Sequence, residues 1–384
     1  MLCPVLMTAR HSARRVIVTM VALQVAASLG YFSVMTHLVA HLRHDLGLLA
    51  GTIGLVLGVR LGVQYALLLP VGAITDTLGA RRTGAIACTT RALGFALLGT
   101  AEGLTTLLCA AVLVGAGGAL LHPAAQTMLA GVTPSRRSAG FAAYVATQHI
   151  GTVVGPPIGL ALLTFGFAFV AGTAAVLWAA AGALFFLLPR HDPNSAPRNL
   201  IAGIRTVLRD RTFVLFALAT APTTLLANHI MTAVPLLGFS RGTATLSFSV
   251  LAAVAAAAQP FVAAHHRGER PWVLRLGLLC AAATFLILTS LDGTETNLLM
   301  LAAVLNGIAN GLIQPAIFQR AARHAPAGRF GSYYGVLAFF SGMFACAGDL
   351  VIGRLFDQDP TGTTTALLAV SAFALIAAVT TRGP

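Results

Sequence analysis

The chain reads as a succession of apolar runs, each roughly 20 residues long, separated by short polar clusters. A run of that length crosses the ~30 Å hydrocarbon core of a bilayer as an α-helix. Twelve spans are expected, at residues 16–41, 50–71, 83–102, 104–124, 139–163, 165–189, 212–237, 244–264, 271–291, 296–317, 330–354 and 362–382. Turn and breaker signals lie between them, among them RHDLG at 43–47, TPSRR at 133–137, SRG at 240–242, LDGTE at 291–295 and DQDPTG at 357–362. A membrane barrel would alternate polar and apolar residues in segments of about ten. The predicted class is therefore an all-α polytopic membrane protein.

Polar positions fix an expected orientation. With the N-terminus inside, most arginines fall in the N-terminal segment and the even-numbered loops, while Arg43, Arg241 and Arg354 lie outside with Asp45, Glu102, Asp292, Glu295, Asp357 and Asp359. The positive-inside rule then places both termini in the cytoplasm of a cell membrane protein. Arg10, Arg14 and Arg15 precede a first run without a clear cleavage site, which reads as a retained first helix rather than a signal peptide. The longest polar stretch, 190–211, reads as a cytoplasmic linker. Within it, LIAGIRTVLRD sets Leu200, Ile201, Ile204 and Leu208 against Arg205 and Arg209, the pattern of an interfacial amphipathic helix. The expected domains are an N-terminal half of residues 1–189, this linker, and a C-terminal half of residues 212–384.

Composition agrees with the pattern: 57% of residues are hydrophobic and 9% charged, against about a quarter charged in soluble domains. The net charge of +13 is mostly this topology signal, so no nucleic-acid partner is expected. Five scattered cysteines form neither a disulfide framework nor a metal spacing. No nucleophile–base set, metal site or phosphate-binding loop is evident, which argues against an enzyme and against ATP as the energy source.

The chain also repeats itself. LLCAAVLVGAGGALLHPAA from Leu107 returns as LMLAAVLNGIANGLIQPAI from Leu299, and Pro123, Pro134 and Arg137 return as Pro315, Pro326 and Arg329, all at an offset of 192. Two related six-helix halves are expected. Transporters built of parallel repeats bind substrate near the midplane.

Two motifs resemble those of the major facilitator superfamily. GAITDTLGARR at 72–82 is similar to its motif A, with Gly72, Asp76, Gly79, Arg81 and Arg82 in place. GTVVGPPIG at 151–159 resembles motif C, the antiporter signature of drug exporters, through Gly151, Gly155, Pro156 and Gly159. Leu160 and Ala142 stand where that pattern has further glycines, and CAAVLVGAGG lacks the Arg that drug exporters carry in helix 4. The resemblance is greatest to MdtH-like members of the twelve-helix drug:proton antiporter group. It implies two pseudo-symmetric six-helix halves, alternating access, and export of small molecules from a monomer without cofactor, driven by a proton gradient.

Charged groups inside membrane helices are costly and mark candidate sites. Arg60 and Arg91 lie 16 and 15 residues from Asp76, on either side of one hairpin and about 23 Å deep at ~1.5 Å per residue. Each can serve substrate, coupling or structure. Asp349 is the only acid well inside a predicted helix, either a coupling group or the partner of an arginine. Asn306, Asn310 and Gln314 make one stripe on the tenth span, suited to lining a cavity or to interhelical hydrogen bonds. Gln24, Tyr31, Gln148, His149, Asn228 and His229 are further candidates, each also readable as an interhelical polar group. With no acid in the first helix, neutral or anionic cargo is expected over lipophilic cations. The glycine face of motif C is expected to lie in a bent fifth helix at the seam of the two halves. The alternatives are an importer or uncoupled facilitator of a polar metabolite, and a non-transporting membrane sensor on the same fold.

Overall fold

The computed structural model describes residues 3–130, 134–188, 200–263, 270–324, 330–358 and 360–381. Among them there is no strand. The helices are α1 Cys3–Ala40, α2 Ala50–Leu78, α3 Ala80–Gly99, α4 Leu104–Ala130, α5 Pro134–Leu162, α6 Phe167–Phe185, α7 Leu200–Arg209, α8 Arg211–Ala219, α9 Thr223–Leu236, α10 Arg241–Ala263, α11 Pro271–Leu288, α12 Thr296–His324, α13 Phe330–Phe356 and α14 Pro360–Thr380. Ten spans among the described residues are long and apolar enough to cross a bilayer. The arginine-bearing α3 and α5 bring the count to the expected twelve, and the chain is a multi-pass membrane protein.

The helices begin and end where the breakers stand. Gly79 separates α2 from α3 with φ +80°, a left-handed conformation that costs an L side chain roughly 1–2 kcal/mol. At 291–295, Asp292 accepts from the amide and the hydroxyl of Thr294. The Thr294 hydroxyl, with help from Glu295, holds this exposed carboxyl below its ordinary range.

One predicted span differs. Residues 212–237 do not form one helix: α8 stops at Ala219, a turn covers Thr220–Pro222, and α9 restarts at Thr223. Pro222 has no N–H to donate to the helical ladder. The hydroxyls of Thr220 and Thr223 add second hydrogen bonds to Phe216 O at 2.8 Å and Thr220 O at 2.7 Å, carbonyls that also accept the amides of the same two residues. Pro156 and Pro157 have the opposite outcome, because α5 continues as helix through both.

The chain forms two compact units, Met1–Val34 with Pro70–Arg198, and Met35–Leu69 with Asn199–Pro384. Helices α1 and α2 thus each contribute to both. In the first unit α3 packs on α4 and α6; in the second, α11 packs on α12 and α14. The repeat is visible here, since third, fourth and sixth spans match ninth, tenth and twelfth.

Lipid tails are as apolar as leucine, so helices associate through close contact rather than through the hydrophobic effect. Glycines supply that contact. A Cβ on Gly117 would lie 2.6 Å from Ala87 O, and one on Gly307 2.6 Å from Leu251 O. The amphipathic α7 buries Val207 and leaves Arg205, Leu208 and Arg209 exposed.

Candidate functional site

The second unit contains the buried acid. Asp349, on α13, is 5% exposed, and its Oδ1 lies 3.3 Å from Nδ1 of His229 on α9, which is 1% exposed. Phe285 and Phe356 flank the imidazole at ring distances of 6.1 and 6.2 Å. The partner of Asp349 is thus a histidine rather than an arginine among the described residues. His229 Nε2 is buried without a hydrogen-bond partner there. A buried charge must be paired or neutralised. Here a carboxyl and an imidazole, both buried, share one contact.

The break before α9 extends this site. Ser341, two turns before Asp349 on α13, donates to Ala221 O at 3.0 Å and meets the Thr224 hydroxyl at 2.7 Å. The Asn228 amide donates to Thr224 O at 2.8 Å and remains exposed. Polar groups therefore line α9 and α13 from the break to the acid. Nearby α2 lies against α13 with very little space. A Cβ on Gly54 would fall 2.3 Å from Asp349 O, and one on Gly58 3.0 Å from Cys346 O. The Asp357 carboxylate, at the far end of α13, accepts from Ala50 N and Gly51 N at 2.6 Å each, satisfying two amides at the start of α2. Asp45, in the turn before α2, pairs with Arg241 and with His41.

The stripe on α12 is graded. Asn306 is fully buried and accepts from Asn310 Nδ2 at 2.8 Å, while Asn310 and Gln314 are half-buried. Asn306 Nδ2 has no partner among the described residues. Arg60 is buried on α2 in this unit. Arg91 belongs to the other unit.

In the first unit Arg91 is 7% exposed and lies between two rings, its guanidinium 4.7 Å from the Tyr31 centroid and 4.6 Å from that of Trp178. Phe95 packs beside both rings at 6.4 Å. Gly30 admits Trp178 to α1, since a Cβ there would lie 3.2 Å from the indole. Gln24 donates to Ser28 at 2.9 Å. Gln148 and His149 are half-buried on α5, where the Gln148 carbonyl accepts from the Thr152 hydroxyl.

The motif residues divide likewise. Arg81 donates to Phe186 O at 2.8 Å and stacks on that ring at 5.6 Å, which ties the α3 start to the α6 end. Arg82 is exposed, and the side chains of Gly72 and Asp76 lie outside those described. Gly151 and Gly155 pack on α1 of the same unit. A Cβ on Gly151 would lie 2.2 Å from Ser28 Cβ, and one on Gly155 2.7 Å from Phe32 Cβ. Pro156 and Gly159 are buried and Pro157 is exposed. Trp178, Tyr144, Ser341 and the α8–α9 break were not singled out from sequence. Pro222 was the available signal for the break; pairing Trp178 with Arg91 requires the tertiary contact.

Helices throughout the described residues, two units with matching packing and intramembrane polar sites define a polytopic membrane fold of the transporter type. A family model described as Major Facilitator Superfamily matches residues 20–349, and the chain belongs to that superfamily. It is similar to an uncharacterized MFS-type transporter of Mycobacterium tuberculosis, with 32% identity over 216 residues, 56% of this chain and 52% of that one. It is also similar to the multidrug resistance protein MdtH of Yersinia enterocolitica, with 33% identity over 210 residues, 54% of this chain and 52% of that one. These matches span about half the length of the curated relatives. Among solved structures, a peptide transporter POT aligns with TM-score 0.81 at 16% identity, covering 97% of this chain and 96% of that one. The nucleoside transporter NupG aligns with TM-score 0.77 at 15% identity, covering 95% and 98%. Those two likenesses concern the fold alone.

Proposed function

We propose that the chain is a secondary active transporter that exports small, largely apolar, neutral or anionic compounds in exchange for protons, by alternating access in a cell membrane with both termini cytoplasmic. The buried His229–Asp349 pair carries the reading. Imidazole has an ordinary pKa of about 6.5, and its carboxylate partner has nowhere else to place its charge. Loading a proton onto the pair changes the net charge held inside the second unit, and helices with charge-dependent packing respond to such a change. Export is supported by the motif C residues and by similarity to relatives named as multidrug resistance proteins. No cofactor is required by this scheme, and a monomer suffices.

Proteoliposomes under an imposed pH gradient test it. Gradient-driven accumulation of an apolar fluorescent dye is expected for the parent and is expected to fall at least tenfold for Asp349→Asn, a loss of roughly 1.4 kcal/mol or more in the driving equilibrium. Accumulation indifferent to the gradient in the parent would remove proton coupling. The Asn306–Asn310–Gln314 stripe favours a second reading, gradient-independent movement of a polar metabolite hydrogen-bonded by amides. Flux of a polar solute that survives Asp349→Asn and fails in Asn310→Leu would select it.

A further inference from the structure

Helices α3 and α6 of the first unit leave an open furrow of about 490 Å³ along their exposed side. Small residues line it, among them Ala92, Ala96 and Gly182, beside the larger Leu93, Val176 and Phe186, which are 58%, 68% and 62% exposed. Thr89 is the one polar residue along it. The two helices meet closely at glycines. A Cβ on Gly182 would lie 3.2 Å from Cys88 Cβ, and one on Gly99 2.9 Å from Ala171 Cβ. The alanines beside these contacts leave the room that forms the furrow. Inside a bilayer such a space is filled, because a void forfeits van der Waals contacts and water finds few polar partners there. From Phe186 to Ala175 the furrow follows α6 for about 16 Å, at ~1.5 Å per residue. That is half of the ~30 Å hydrocarbon core, the depth of one leaflet. The furrow also has a basic end. Arg82 is exposed and precedes Thr89 and Ala96 by seven and fourteen residues, so all three share one face of α3. Arg81 covers the Phe186 ring and donates to Phe186 O, which occupies one of its five donors. Neither helix carries an acid.

We propose that the α3–α6 furrow holds one acyl chain of an anionic phospholipid, whose phosphate rests on Arg81 and Arg82. The depth and apolar lining select a lipid tail, and the basic end selects its headgroup, since guanidinium groups match phosphate oxygens in charge and geometry. A zwitterionic headgroup brings a cation beside the same two arginines, whereas an anionic one does not. The leaflet is the one that meets the α2–α3 turn, cytoplasmic in the orientation proposed above. Arg81 already joins α3 to α6, so a lipid seated there contacts both helices and braces their packing. The site rests on the membrane location of the chain alone, independent of cargo and of coupling.

Phe186→Trp puts an indole on the furrow wall and keeps a ring beside Arg81. Trp272→Phe, at a half-exposed position of the other unit, removes a background indole, and the remaining Trp178 is buried. The full-length double variant is reconstituted in vesicles of phosphatidylglycerol and phosphatidylcholine at equal mole fraction, with bromine on the tails of one lipid or the other. Bromine quenches an indole on contact. Brominated phosphatidylglycerol is expected to quench the introduced indole in preference to brominated phosphatidylcholine, by about tenfold or more in relative association. Arg82→Gln, at an exposed position, is expected to lower that preference about fivefold. Ala179→Leu, at another exposed position, fills the furrow and is expected to abolish the preference. Equal quenching by the two lipids would overturn the site, as would a preference that survives Arg82→Gln. A preference lost in Arg82→Gln but kept in Ala179→Leu would mean a headgroup held without a seated tail, and overturns it too. Relief of quenching by a neutral apolar dye would assign the furrow to cargo, and a light-scattering mass of two chains with quenching by neither lipid would assign it to a second copy; both overturn the lipid site. None of these readouts needs flux, so losing the lipid site leaves proton exchange untouched.

Discussion

The two units handle buried charge in contrasting ways. In the first, Arg91 is covered by two aromatic faces and keeps a charge that it cannot lose. In the second, Asp349 meets His229, an acid against an imidazole. Ring faces stabilise a fixed cation through their quadrupole, by about 2 kcal/mol or more once water is removed. An acid–imidazole contact instead stabilises whichever proton arrangement the surroundings favour. Only the second arrangement suits the proton exchange proposed for this chain.

The largest effect that would break this contrast concerns the second unit. His229→Gln preserves a polar side chain beside Asp349 but cannot titrate. Gradient-driven transport in proteoliposomes is expected to fall about tenfold or more, while solute exchange without a gradient continues. Wild-type gradient dependence in this variant would remove the imidazole from coupling.

Next in size are the close glycine contacts in each unit. Gly54→Ala directs a methyl at the Asp349 carbonyl, 2.3 Å from the new Cβ, whereas Gly155→Ala meets Phe32 Cβ at 2.7 Å. A backbone oxygen cannot rotate aside. Overpacking costs about 1–3 kcal/mol, and Gly54→Ala is expected at the upper end with the larger fall in thermal midpoint in detergent. The reverse order would mean that α2 yields more readily against α13 than α1 does against α5.

The smallest effect tests the first unit. Trp178→Leu removes one of the two faces over Arg91 and is expected to lower stability by about 2 kcal/mol, with Trp178→Phe recovering part of it. A thermal midpoint unchanged in both variants would show that the rings do little to stabilise the cation.

Much of this was legible in the chain itself. Span number, turn positions and the 192-residue repeat follow from run length and breaker residues, which act locally. Asp349 and Arg91 stood out because a charge inside a long apolar run is conspicuous wherever the helix packs. Their partners were not legible: His229 is 120 residues from Asp349, and Tyr31 and Trp178 come from helices on either side of Arg91 in sequence. Periodicity says which face of a helix is polar but not which helix it meets.

The glycines and prolines show the same division. Sequence alone established that 151–159 is unusual for a membrane helix, since proline removes a donor in any context. Tertiary structure decided that α5 runs through Pro156 and Pro157, and that the chain breaks at Pro222, where Ser341 meets the freed carbonyl of Ala221. Small residues permit close approach anywhere, yet only the fold decided that Gly151 and Gly155 approach α1 and that Gly54 approaches Asp349. Chain-local chemistry determines what each helix can do; which partner groups it meets depends on contacts between segments far apart in sequence, and no local pattern encodes them.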